Sequence, residues 1–151
     1  MVKDWMSKVV FSIDADASLQ KAIKLQKECK VNMLPVIRDG KIVGVINRSD
    51  ALRVLMSLTG GDKKGYMFAF SVKDKPGNVG KIAGTMREFG GRVASILGSY
   101  EKAPSNYRNV YVRVYDLEPE KYIELLEQLK ETVDIHYVVD FVHHKREIFE
   151  K

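Results

Sequence analysis

Between Tyr107 and Leu117 the chain reads YRNVYVRVYDL, with Val110, Val112 and Val114 alternating against Tyr111, Arg113 and Tyr115. Alternation at period two gives a strand one apolar and one polar face, so this segment belongs to a sheet covered on one side. It sits within a run of six elements. YMFAFSVK is a strand, and NVGKIAGTMREF is a helix with Val79, Ile82, Ala83, Met86 and Phe89 at helical spacing. GGRVASILGSYEK is a second strand, followed by the alternating one. PEKYIELLEQLKE then carries Tyr122, Leu125, Leu126 and Leu129 along one helical side, and DIHYVVDFV is a last strand. The order predicts a ferredoxin-like split βαβ unit, a four-stranded antiparallel sheet with both helices on one face.

The first sixty residues do not repeat this pattern. VVFSI (Val9 to Ile13) reads as a short strand, and DADASLQKAIKLQKECK as a helix with Asp16 or Ser18 as its N-cap. MLPVIRDGKIVGVIN places two β-rich runs around Asp39-Gly40, a strong hairpin signal. RSDALRVLMSLT is a second helix, capped by Ser49 or Asp50. SLTGGDKKG, Ser57 to Gly65, interrupts the pattern with three glycines and reads as the connection between units 1–60 and 65–151. The predicted class is α+β.

A composition of 45% hydrophobic and 30% charged residues argues against disorder. No stretch approaches the roughly 20 consecutive apolar residues of a membrane span, and MVKDWMSK has no signal-peptide core. The single cysteine, Cys29, cannot pair within the chain, which points to a reducing cytoplasm. The excess of 25 basic over 20 acidic residues favours anionic partners. The charges are scattered singly, however, and surface solubility accounts for most of them.

DKPGNVGKIAG, Asp74 to Gly84, puts glycines before a lysine at a strand-to-helix junction, as a phosphate loop would. A Walker A loop needs a glycine where Lys75 stands and a hydroxyl where Ile82 stands. The dinucleotide fingerprint fails too, because the glycines fall at Gly77, Gly80 and Gly84 with no placed acid after the following strand. Pro76 suits a first helical turn, and Gly77 permits close approach of another group to the backbone. The residues alone leave two readings open, a ligand-binding turn and a purely structural one.

The second unit resembles the ACT domain, a small regulatory module. FAFSVKDKPGNVGKIAGTMREFGGRVASI (Phe68 to Ile96) has its apolar strand ending in D-x-P-G, its amphipathic helix and its glycine-led second strand. The resemblance implies an effector amino acid at Asp74, Gly77 and Asn78, between paired domains.

The first unit resembles one CBS (cystathionine-β-synthase-type) repeat, βαββα, in its V-K-D-x-M opening, L-P-V, D-G-K-I-V-G and R-S-D-x-L. That resemblance implies an adenosine ligand such as AMP, ATP or S-adenosylmethionine. Gly44, Ile46, Asn47 and Asp50 match the family's ribose-binding segment, with Asp50 on the hydroxyls and Asn47 replacing the usual Ser or Thr. Val9, Val10, Met33 and Pro35 would hold the adenine and Arg48 a phosphate. CBS repeats normally come in pairs, so a lone one implies a homodimer or higher oligomer. CBS plus ACT resembles the acetoin-utilisation AcuB type of regulator, less one CBS repeat.

An enzyme is not expected, because no acid, base, nucleophile or metal set converges. His136, His143 and His144 read as an exposed C-terminal tail rather than a metal site. RNA recognition is the rival from another class, since RNA-binding domains share the βαββαβ order and Tyr111, Arg113 and Tyr115 share a face. YRNVYVRVY nevertheless lacks the glycine and most of the aromatics of the RNA-binding strand. The expected function is therefore non-enzymatic sensing of small ligands, with a pure assembly module as a further alternative.

Overall fold

The computed structural model describes residues 1–149. The chain divides into two compact units, Met1–Leu55 and Met56–Lys151, each α+β.

In the first unit a single 3-10 turn, Val2–Asp4, precedes β1 (Ile13–Asp14), α1 (Leu19–Glu28), β2 (Met33–Arg38), β3 (Lys41–Asn47) and α2 (Arg48–Leu58). The sheet order is β1-β2-β3, with β1 parallel and β3 antiparallel to β2. Asp39 and Gly40 both take positive φ, 51° and 71°, as a tight hairpin turn requires. Ser18, rather than Asp16, caps α1: its Oγ accepts from the Lys21 backbone N–H at 3.3 Å.

Two local expectations are corrected here. The first strand is only Ile13–Asp14, not Val9–Ile13, because its register on β2 is limited to Ile13↔Val36 and Asp14↔Ile37. Val9, Val10 and Phe11 have no strand beside them and lie exposed. The cap of α2 is neither Ser49 nor Asp50 but Asn47. Its Oδ1 accepts from Asp50 N–H at 2.9 Å, while Asp50 Oδ2 accepts from Asn47 N–H at 3.0 Å. This is a reciprocal capping box, and it assigns Asp50 to the third helical position.

The core of this unit is small. Leu34 is fully buried with Ile13 and Ala22, bordered by Leu25, Val36 and Ile46. Gln26, only 3% exposed, spans the gap from α1 to the hairpin, its Nε2 donating to the carbonyls of Asn32 and Ile46 at 3.3 and 3.2 Å.

The second unit contains β4 (Tyr66–Lys73), α3 (Asn78–Glu88), β5 (Arg92–Ser99), β6 (Tyr107–Tyr115), α4 (Pro119–Thr132), β7 (Asp134–Asp140) and β8 (Lys145–Ile148). The antiparallel order β5-β6-β4-β7 is the ferredoxin-like one, extended by β8. Phe68 and Phe70 on β4 and Val110, Val112 and Val114 on β6 are fully or almost fully buried, packed with Met86 of α3 and Leu125 and Leu129 of α4. Tyr122 stacks on Tyr66 at 4.3 Å, its hydroxyl 3.2 Å from Glu147. Burial, then the Glu147 carboxylate, pushes the Tyr122 phenol well above its ordinary pKa.

The expected exposed histidine tail is a turn and a fifth strand. Asp140 Oδ1 accepts from the backbone N–H groups of Val142 and His143, and its Oδ2 lies 2.7 Å from His143 Nδ1. The chain reverses through His144, at φ 53°, and β8 pairs with β7 from Tyr137↔Ile148 to Asp140↔Lys145. KREI carries no alternation of apolar residues, so pairing rather than pattern makes it a strand. His136 is likewise no tail residue, being half-buried against Ser71.

Burial alone would raise the pKa of Asp140, but the hydrogen bonds from His143 and Val142 outweigh it and hold the carboxyl below its ordinary value. A depressed folded-state pKa means stabilisation that is complete above the unfolded value and lost as pH falls through the folded one. Asp140→Asn should therefore melt below the wild type at neutral pH, with the gap closing in acid. Melting curves across that range test this, and a gap independent of pH would dismiss the ionised carboxylate.

The glycine-rich connection packs onto the second unit. Ser95 Oγ donates to the Thr59 carbonyl at 2.9 Å and Arg113 Nε to that of Lys63 at 3.0 Å, while Gly60 is buried against Ala94. Residues 59–63 thus form a strap over the sheet face opposite the helices.

Candidate functional site

On the first unit, cross-strand register gathers part of the expected nucleotide set. Met33 pairs with Asn47 and Pro35 with Val45, so these residues share the sheet face away from the Leu34 core. Met33 and Val45 are each 54% exposed, so this face is open. Asp50 is joined to Asn47 by the capping box, with its other oxygen 3.6 Å from Arg53. A carboxylate has about four lone-pair positions, so these contacts leave it acceptor capacity.

The remaining members lie elsewhere. Val9 and Val10, 68% and 65% exposed, precede β1. Arg48 lines a groove of about 460 Å³ between α1 and α2, together with Ile23, Gln26 and Leu52.

On the second unit, Gly77 is the N-cap of α3 in the left-handed region, φ 85°, which leaves Pro76 outside the helix rather than in its first turn. Asn78 Nδ2 donates to the Lys73 carbonyl at 3.0 Å. Asp74 is already partnered: Tyr100 OH donates to Oδ2 at 3.0 Å, and Arg108 Nε lies 3.3 Å from Oδ1. That Nε is buried, and its angle to Asp74 is too poor for a hydrogen bond. Tyr100 and Arg108 escaped the sequence reading because they reach the turn across the β5–β6 loop, with no local spacing to announce them. A cleft of about 760 Å³ runs beside the turn, past Lys73, Asn78, Tyr107 and Lys130.

The face proposed for RNA stacking is partly occupied. Arg113 is 8% exposed, with its guanidinium 3.8 Å from the Phe141 ring and its Nε on the strap. Burial lowers its pKa, against the pull of Asp62. Tyr115 faces Lys63 and Arg92 at 5.5 and 5.1 Å. These contacts count against an open stacking track, and the RNA alternative is not favoured.

Ser71 and His136 stand together as a hydrolase's nucleophile and base would, Oγ to Nε2 at 2.8 Å. The proton directions run the wrong way for that chemistry. Asn109 Nδ2 donates to the Glu101 carbonyl, so its Oδ1 accepts from the Ser71 hydroxyl at 2.8 Å. Having given its proton to Asn109, the Ser71 oxygen accepts from His136 Nε2–H, which cannot then act as its base. Among the described residues, no group of three His, Cys, Asp or Glu side chains could hold a metal ion. Nor is any described helix long and apolar enough to cross a membrane.

Residues 2–57 match the family model of the CBS domain. A crystal structure of another CBS domain is 30% identical over 37% of this chain and 44% of that one, at TM-score 0.36. A protein from Burkholderia ambifaria, described as a signal-transduction protein with CBS domains, is 25% identical over 36% of this chain and 40% of that one, at TM-score 0.35. The chain thus spans under half the length of either relative. The ACT domain from a GTP pyrophosphokinase of Chlorobium tepidum is 17% identical over 56% of this chain and 95% of that one, at TM-score 0.36.

Proposed function

We propose that this chain is a non-enzymatic cytoplasmic regulator, with a CBS domain over 1–60 that binds an adenosine nucleotide and an ACT-type domain over 65–151 that binds an amino acid. The observation that carries the reading is the CBS match over residues 2–57 together with an open sheet face where Met33, Pro35 and Asn47 meet beside Asp50. Met33 and Pro35, with Val9 and Val10 folding over, would hold adenine and Asp50 the ribose hydroxyls, while Arg48, in the groove beside α1, would not reach a phosphate on this face. At the second site, Asp74 and Asn78 would flank the ligand, with the backbone at Gly77 open to its approach.

A homo-oligomer belongs to this reading. Met33, Val43 and Val45 stay exposed around a core of three buried side chains, and a second copy would cover them and complete the nucleotide cleft. The combination corresponds to an AcuB-type regulator with one CBS repeat.

A thermal-shift screen with AMP, ATP, S-adenosylmethionine and the common amino acids tests the proposal. A ligand at 100 times its Kd should stabilise by about 2.7 kcal/mol. No shift from any adenine ligand would remove the nucleotide assignment, and no shift from any amino acid would reduce the Asp74–Asn78 turn to structure. Light scattering should return at least a dimer, and a monomer at micromolar concentration would overturn the shared cleft.

A further inference from the structure

We propose that the groove between α1 and α2 is a docking surface for an acidic amphipathic helix of a partner protein. Its lining includes none of Met33, Pro35, Asn47 or Asp50, so it stands apart from the nucleotide face.

The bottom of the groove is buried, with Gln26 and Ala51 only 3% and 5% exposed. The two hydrogen bonds from Gln26 Nε2 to the Asn32 and Ile46 carbonyls tie α1 to the hairpin, so this floor keeps its shape without an occupant. The walls are apolar and project outward. Ile23 comes from α1, and Leu52 and Leu55 come from α2, 62% and 43% exposed. Leu52 and Leu55 stand three residues apart and so share one stripe of α2. Two helices with an apolar trough between them accept the apolar stripe of a third, whose anchors at i, i+3, i+4 and i+7 pack between their ridges.

The rim selects the sign of that third helix. Lys27 and Lys30 on one side and Arg48 on the other are exposed around the trough. The neighbouring carboxylates are engaged elsewhere: Glu28 lies 3.8 Å from Lys24, and Asp50 serves the capping box and Arg53. Lys27, Lys30 and Arg48 therefore have no carboxylate partner among the described residues. Lys30 also occupies a position that glycine usually fills. It follows α1 at φ 55°, with its N–H on the Lys27 carbonyl at 3.3 Å and that of Val31 on the Gln26 carbonyl at 3.1 Å, a Schellman turn. A second copy docking by the same groove would bring both sets of cations together. Glutamates flanking a partner's apolar stripe would meet them instead, and charge complementarity of this kind sets partner choice.

Fluorescence anisotropy tests the groove, with the full chain titrated into a labelled peptide that repeats leucine at helical spacing with glutamates on either side. The peptide should bind saturably, and its twin with lysine for every glutamate should not. Leu52→Gln, at an exposed position, should weaken the acidic peptide roughly tenfold, the scale of one leucine left out of an apolar contact. Lys30→Gly should weaken it several-fold while leaving the melting temperature unchanged or raised, because glycine suits the left-handed turn. Lys41→Gln, on the hairpin and outside the groove, should leave the affinity unchanged. No binding, equal binding of the lysine twin, wild-type affinity in Leu52→Gln or Lys30→Gly, or an equal loss in Lys41→Gln would each overturn the proposal. Dissociation of the chain's own oligomer by Leu52→Gln, with peptide affinity unchanged, would give the groove to a second copy and overturn it too.

Discussion

Gly65→Ala should destabilise the second unit by about 3 kcal/mol or more, a large part of the roughly 5–15 kcal/mol that holds a typical domain folded. Gly65 is buried at the entry to β4, and its carbonyl accepts from Phe141 N–H at 2.8 Å. Its φ of +146° lies in territory that side-chain-bearing residues rarely adopt. A Cβ there would overlap the Val114 carbonyl oxygen and stand 2.8 Å from Tyr115 Cα. Both are backbone atoms of β6, which is paired with β4 on one side and β5 on the other, so neither can move aside cheaply. Calorimetry on the variant should show the second unit's transition lowered or lost. A change below about 1 kcal/mol would mean that the strap and the entry to β4 can shift together.

Asp50→Ala should produce two separable losses. Removing the carboxylate breaks half of the capping box with Asn47, which costs α2 about 0.5–2 kcal/mol whatever the ligand. If Asp50 also accepts from ribose hydroxyls, adenine-nucleotide affinity should fall by a further 1.5–3 kcal/mol or so, the scale of a charge-assisted hydrogen bond. Titration calorimetry at a temperature where both proteins are folded isolates the second loss. Equal nucleotide affinities would leave Asp50 as a capping residue alone. Asp50→Asn should recover part of the capping while lacking the charge, and so separates the two roles further.

Those roles overlap because one residue type serves both at a strand-to-helix junction. R-S-D offered Ser49 and Asp50 as caps from the sequence, and three-dimensional spacing selected Asn47, three residues before the helical N–H that it meets. Met33, Pro35 and Asn47 were legible as a set through the family resemblance, and cross-strand register brings them to one face. Arg48 was assigned to the same set, but its position on α2 turns it to the groove beside α1. Tyr100 and Arg108 at the Asp74 turn, and the Ser71–Asn109–His136 chain, join residues 26 to 65 positions apart, for which no local pattern exists.

What the sequence determined by itself is periodic or chemical at short range. Alternation in YRNVYVRVY, helical spacing in PEKYIELLEQLKE and the Asp-Gly hairpin between Arg38 and Lys41 each follow from the geometry of one element or one turn. The tertiary structure alone decided the fate of segments without such a period. KREI became β8 because β7 had a free edge and Asp140 could hold the reversal, whereas the ladder on β2 starts only at Ile13↔Val36 and leaves Val9–Phe11 unpaired. The glycine-rich connection became a strap because Arg113 and Ser95 on the sheet offered it hydrogen bonds. Backbone pairing and hydrogen bonding depend on which partner arrives, and that information resides in the fold rather than in any one segment.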